Sequence, residues 1–144
     1  MNPMSRHATL ALGVLLLAAV AAPASGITPA DFPTGEIASL QIFDRNPASG
    51  IETLVFQTSD PERIETLAAV VRGGIPGRDH KCANTGAIVF HMKGGGAVEL
   101  GTLAGHDESW WEFRLYSGEV YRLFRVERGA FLGVLEQFGV RTKG

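Results

Sequence analysis

The chain has 144 residues, of which 45% are hydrophobic and 19% charged, and its formal net charge is −2. This length and composition predict a single globular domain with its own hydrophobic core. The near balance of acidic and basic side chains argues against a general affinity for nucleic acid or anionic lipid. The single cysteine, Cys82, excludes an internal disulfide. Free cysteine is usually buried, so we expect a buried thiol, with a reactive thiol or an intermolecular bridge as the alternatives.

The first 26 residues have the three parts of a secretory signal peptide: a polar start with Arg6, an apolar run over residues 8–22, and small residues after it. The apolar run is about 15 residues long, whereas a membrane-spanning helix needs about 20. The small residues predict cleavage after Ala24 or Gly26. We therefore expect a periplasmic or secreted protein without a stable membrane anchor, in which residues 27–144 form a single domain.

Two strands are predicted first, over residues 36–43 and 51–57, because apolar and polar residues alternate there. In the first strand, Ala38, Leu40 and Ile42 are expected to share the buried face. The turn-rich residues between the two strands favour a hairpin.

A helix is predicted next, and its start is the clearest local signal in the chain. Ser59 is expected to cap it, with Glu62 completing a capping box and Pro61 in the first turn. Gly73 and Gly74 end it. Its apolar face has helical spacing and comprises Ile64, Leu67, Ala68 and Val71. Residues 75–85 lack periodicity and are expected to form a loop.

The second half of the chain predicts two hairpins. Residues 86–92 and 97–103 form the first, across three glycines that permit positive φ. Residues 110–116 and 119–124 form the second, closed by Ser117-Gly118.

In the second hairpin this turn places Tyr116 opposite Glu119 and Trp111 opposite Phe124, and it also pairs Trp110 with Arg125 and Arg114 with Tyr121. Alternation then defines the two faces of the hairpin. The face expected in the core carries Trp111, Phe113, Leu115, Val120 and Phe124.

A closing helix is predicted over residues 127–138, with Phe131, Val134, Leu135 and Phe138 on one face and Gly139 at its end. The element order is therefore ββαββββα. Hairpins interrupted by helices predict an α+β fold, with a mainly antiparallel sheet and two helices packed on one face.

No common catalytic, phosphate-binding or structural-zinc motif occurs in the sequence. This favours a non-enzymatic protein and predicts no cofactor. His80, Cys82, His91 and His106 carry donors suited to zinc or copper. Their spacing is not that of known structural sites, however, so no metal ligands are predicted.

The other face of the second hairpin combines aromatic side chains with arginines, as binding hot spots do. Its candidate binding residues are Trp110, Arg114, Tyr116, Tyr121 and Arg125. The alternative is that these pairs only stabilise the sheet, because cross-strand aromatic and cation–π contacts do so regardless of function.

The segment from Tyr116 to Tyr121 and the final helix resemble those of small exported bacterial α+β proteins. This resemblance covers most of residues 27–144, implies no activity and transfers no functional residue. The sequence therefore predicts an exported binding or inhibitor module with a possible protein partner in the cell envelope. The alternative function is a small metal-binding protein or hydrolase that uses His80, Cys82 and His106.

Overall fold

The structure is a computed structural model that describes residue 32 and the ranges 36–103 and 106–142, so the predicted leader lies outside the described residues. None of the helices in these ranges is long and apolar enough to cross a membrane. The elements are, in chain order, β1 (Ile37–Arg45), β2 (Glu52–Thr58), α1 (Pro61–Arg72), β3 (Ile75–Pro76), β4 (Gly86–Met92), β5 (Ala97–Leu103), β6 (Trp110–Ser117), β7 (Val120–Glu127) and α2 (Arg128–Gln137).

One antiparallel sheet of seven strands contains all of these strands, in the order β2-β1-β4-β5-β6-β7-β3. Together with the two helices on one face, it confirms the predicted α+β class. β3 was not expected: Ile75 and Pro76 pair with Arg125 and Phe124 of β7. Pro76 lacks an N–H group, and proline is tolerated in a strand at the edge of a sheet, which is where β3 lies.

The core lies between the helices and one face of the sheet. The predicted apolar faces of both helices contribute to it, although Phe138 is only partly buried and stacks on Phe56 at a centroid distance of 4.7 Å. Phe113 lies at its centre, with the rings of Phe124 and Phe131 at centroid distances of 5.3 and 5.0 Å.

The predicted buried face of β1 is wrong at one position. Ala38 is exposed, whereas Ile37, Leu40 and Ile42 are buried. The pairing of β1 with β4 shifts between Ile37 and Ser39. This irregularity interrupts the simple alternation from which the face was predicted.

The cap of α1 is Asp60, so the prediction of Ser59 was wrong. The Asp60 carboxylate accepts a hydrogen bond of 2.9 Å from the backbone N–H of Glu62. With Asp60 as the cap, Pro61 is the first helical residue, where its missing N–H costs no hydrogen bond.

The hairpin of β6 and β7 has the predicted faces but a different register. Tyr116 pairs with Tyr121, because the turn is Gly118-Glu119 and not Ser117-Gly118. A shift of two residues keeps every side chain on its face, since strands have a period of two.

The predicted cross-strand pairs were therefore wrong, and so was the predicted burial of one residue. Trp111 pairs with Val126, Trp110 with Glu127 and Arg114 with Leu123. Val120 is 63% exposed, although it was expected in the core. It pairs with Ser117 at the tip of the hairpin, directly after the turn.

Candidate functional site

The loop from Gly77 to Thr85 crosses the face of the sheet that the helices leave open. It is attached at its start by a hydrogen bond of 3.0 Å from the Gly77 N–H to the Leu123 carbonyl. At its end, the Thr85 N–H donates to the Thr102 carbonyl at 2.7 Å. The loop therefore runs from β7 across β6 to β5, and the candidate binding residues are located on β6 and β7.

Arg114 holds this loop onto the sheet. Its side chain is buried, with only 8% of the residue exposed. The guanidinium donates to the Asn84 side-chain oxygen at 2.8 Å and to the His80 carbonyl at 2.7 Å. Asn84 in turn donates to the Tyr116 hydroxyl at 3.0 Å. A Cβ atom on Gly101 would overlap the Asn84 side chain, so the absence of a side chain there makes room for this network.

Tyr121 forms a second attachment point for the loop. Its hydroxyl donates to both carboxylate oxygens of Asp79, at 3.1 and 2.9 Å. This hydrogen bond, assisted by desolvation and the charge of Asp79, raises the pKa of Tyr121, and the positive charge of Arg114 opposes the shift. The raised pKa means that the folded protein holds this proton more tightly than the unfolded chain does.

We therefore expect a small loss of stability at high pH. The contribution of the Tyr121–Asp79 pair is complete below about pH 10, the ordinary tyrosine pKa, and is lost as the pH rises through the higher folded-state pKa. Asp79→Asn should shift the tyrosinate absorbance titration to lower pH. The chain has only two tyrosines, so Tyr121→Phe assigns the shifted component. Superimposable titrations of the wild type and Asp79→Asn would contradict this prediction.

His80 and Cys82, in the middle of this loop, converge with His106 from the loop between β5 and β6. One donor atom from each residue lies within 4.8 Å of the others. The Cys82 sulfur is 3.2 Å from Nε2 of His106, and the two imidazole rings have a centroid distance of 4.8 Å. Cys82 is exposed, so the expectation of a buried thiol was wrong. The loop presents the thiol to His106 at the surface and does not pack it into the core.

Glu112 fixes the orientation of His80. Its carboxylate oxygen lies 2.6 Å from His80 Nε2, and the two side chains are only 14% and 22% exposed. The other ring nitrogen, Nδ1, is buried and has no hydrogen-bond partner among the described residues. In a neutral imidazole, an acceptor at Nε2 favours the tautomer with the proton on that nitrogen, and this tautomer has its lone pair on Nδ1.

His91 is not part of this group. It lies on β4, and its Nε2 is 2.7 Å from the side-chain oxygen of Gln41 on β1. Of the four residues considered as donors from the sequence, the structure therefore brings three together and leaves one apart. His91 provides a natural control for experiments on the other three.

The five candidate binding residues lie together on the open face, but three are engaged by the loop. Arg114, Tyr116 and Tyr121 contact the loop as described above. The guanidinium carbon of Arg125 lies 4.6 Å from the centroid of the Trp110 ring, and that of Arg114 lies 5.2 Å from the centroid of the Tyr121 ring. Both expected cation–π contacts therefore form, although neither pair is directly opposed across the two strands. Partner binding by these residues stays a prediction.

Comparison of the chain with known protein families, curated proteins and solved structures finds no match. The function of the site therefore has to follow from the chemistry of its own residues.

Proposed function

We propose that this protein is an exported binding module whose ligand is a zinc or copper ion, held by His80, Cys82 and His106. The observation that carries the proposal is the convergence of one thiol and two imidazoles within 4.8 Å. Thiolate and neutral imidazole are the donors that both metals prefer in proteins. The donors come from two loops separated by β4 and β5, so their proximity is a property of the fold and not of sequence spacing.

The distances are compatible with coordination after a small adjustment. Zinc–nitrogen and zinc–sulfur bonds of about 2.0 to 2.3 Å in a tetrahedral site place ligand atoms roughly 3.3 to 3.6 Å apart. Cys82 Sγ and His106 Nε2 are already 3.2 Å apart. The remaining donors need to approach by about 1 Å, and the exposed side chains of Cys82 and His106 have space for this movement.

The Glu112–His80 pair supports the same proposal. A ligating histidine usually donates its other ring N–H to a carboxylate, which fixes the tautomer and raises the basicity of the ligand nitrogen. Glu112 occupies this position at Nε2, and Nδ1 is the buried ring nitrogen without a partner in the described part of the chain. A metal ion at Nδ1 would give that nitrogen the partner it lacks.

Export is part of this proposal and is supported by the leader-like residues 1–26. A protein partner in the cell envelope also remains a proposal. It would contact Trp110 and Arg125 directly, whereas contact with Arg114 requires the loop to move. Alanine at Trp110 and Arg125 should then abolish partner capture without changing metal affinity.

The test of the proposed function is a titration of the reduced protein with zinc. Calorimetry measures the affinity, and native mass spectrometry counts the bound ions. One ion should bind per chain, and Cys82→Ser should lower the affinity by a factor on the order of 100 because a thiolate ligand is lost. His106→Gln should have a comparable effect. Bound zinc should also protect Cys82 from alkylation.

His91→Gln is the matched control, because it removes a half-buried imidazole outside the group. It should bind zinc like the wild type. Equal zinc affinities for Cys82→Ser, His106→Gln and His91→Gln would refute the proposal.

A further inference from the structure

We infer that the metal centre has a fourth coordination position open to an external anionic ligand of the hydroxide or thiolate class. This inference rests on the proposed function, since it concerns the same His80–Cys82–His106 group. Structural zinc sites are closed by four protein ligands, whereas sites with three protein ligands hold water or another small ligand in the fourth position.

Among the described residues, only His80, Cys82 and His106 contribute donor atoms to this group. Three carboxylates near these residues along the chain already have partners, and the exposed Glu108 does not belong to the donor group. Glu112 binds His80, Asp79 accepts both contacts from Tyr121, and Asp107 accepts a hydrogen bond of 2.8 Å from the Ser109 N–H. Among the described residues, the donor group therefore comprises three protein ligands and no carboxylate.

Exposure and charge both favour a small anion in the open position. Cys82 and His106 are exposed, whereas His80 is the more buried ligand and lies on the sheet side. An incoming ligand can thus reach the centre from solvent. A divalent ion with one thiolate and two neutral imidazoles carries a net positive charge, which an anionic donor neutralises.

The experiment uses cobalt(II) as the metal probe in the purified protein and azide as the anionic ligand. Coordination by Cys82 should give a sulfur-to-cobalt charge-transfer band, which Cys82→Ser should abolish. Addition of azide should then shift the visible ligand-field bands in a saturable manner. 2-Mercaptoethanol should compete with azide and produce its own shift.

The two hypotheses fail in different ways. In one case the charge-transfer band forms, but the ligand-field bands do not change even at a high azide concentration. This result would show a closed centre and would overturn the inference, while leaving the proposed function intact. Absence of the charge-transfer band would overturn the proposed function and the inference with it. His91→Gln is the control and should reproduce the wild-type spectra both before and after azide.

Discussion

Replacing Arg114 with leucine is expected to destabilise the domain by about 2 to 4 kcal/mol and to release the loop over β6 and β7. The guanidinium makes two charge-assisted hydrogen bonds from a buried position, to Asn84 and to the His80 carbonyl. Bonds of this kind contribute about 1.5 to 3 kcal/mol each, and their loss leaves both acceptors without a donor. Leucine recovers part of the loss by burying apolar surface.

Urea unfolding measures this change, and zinc titration measures its effect on the site. Because Arg114 holds the backbone of His80, zinc affinity should also fall, by about tenfold. Arg63→Leu is the matched control. Arg63 is exposed and forms only a surface ion pair with Asp60, so its loss should change stability by less than about 1 kcal/mol. Equal stabilities of the two variants would show that Arg114 does not hold the loop.

Gly86→Ala is expected to cost about 3 kcal/mol or to prevent folding. A Cβ atom at Gly86 would overlap the backbone carbonyl oxygen of Phe43 and would lie 3.1 Å from the Thr102 hydroxyl. Gly86 pairs with Asp44 on one side and Thr102 on the other, in the middle of the sheet. The backbone of β1 can make room only by breaking its pairing with β4, and such overpacking costs about 1 to 3 kcal/mol or more.

The matched control for this substitution is Gly133→Ala. Gly133 lies in α2, and a Cβ atom there would have no neighbouring atom within 4 Å. Alanine should therefore stabilise the helix by about 0.5 to 1 kcal/mol. Urea unfolding should thus shift in opposite directions for the two glycine variants. A shift in the same direction would contradict the assigned close approach at Gly86.

The β6–β7 hairpin shows which part of the fold was predictable from the sequence. Alternation of apolar residues identified its faces correctly, because a face depends only on whether a position is odd or even along the strand. The register depends on which residues form the turn. Gly118 has a φ of 63°, and it is the first of the two turn residues, whereas the prediction made it the second. Hydrophobic patterning does not distinguish these two turns, since both place the same residues on the face of the hairpin that points toward the helices.

The candidate site was less predictable, although its residues were named. The spacing of His80 and Cys82 in a loop gave no indication that His106 would lie 3.2 Å from the sulfur. That proximity depends on the path of a loop without periodicity, which Arg114 and Tyr121 fix from the sheet. The feature that identifies the site in the structure is the burial of Arg114 beneath the polar loop. The sequence places Arg114 on the open face of the sheet but does not show that a loop covers it.

The contacts that build the site also determine when it can form during folding. His80 and Glu112 are 32 residues apart, Cys82 and His106 are 24 apart, and Asp79 and Tyr121 are 42 apart. Such distant contacts form only after the intervening chain has been ordered, here by the pairing of β4 to β7. We therefore expect the donor group to be assembled late in folding, and an unfolded chain presents only scattered donors. A ligand that binds the assembled group stabilises the entire fold against unfolding, not just the loop.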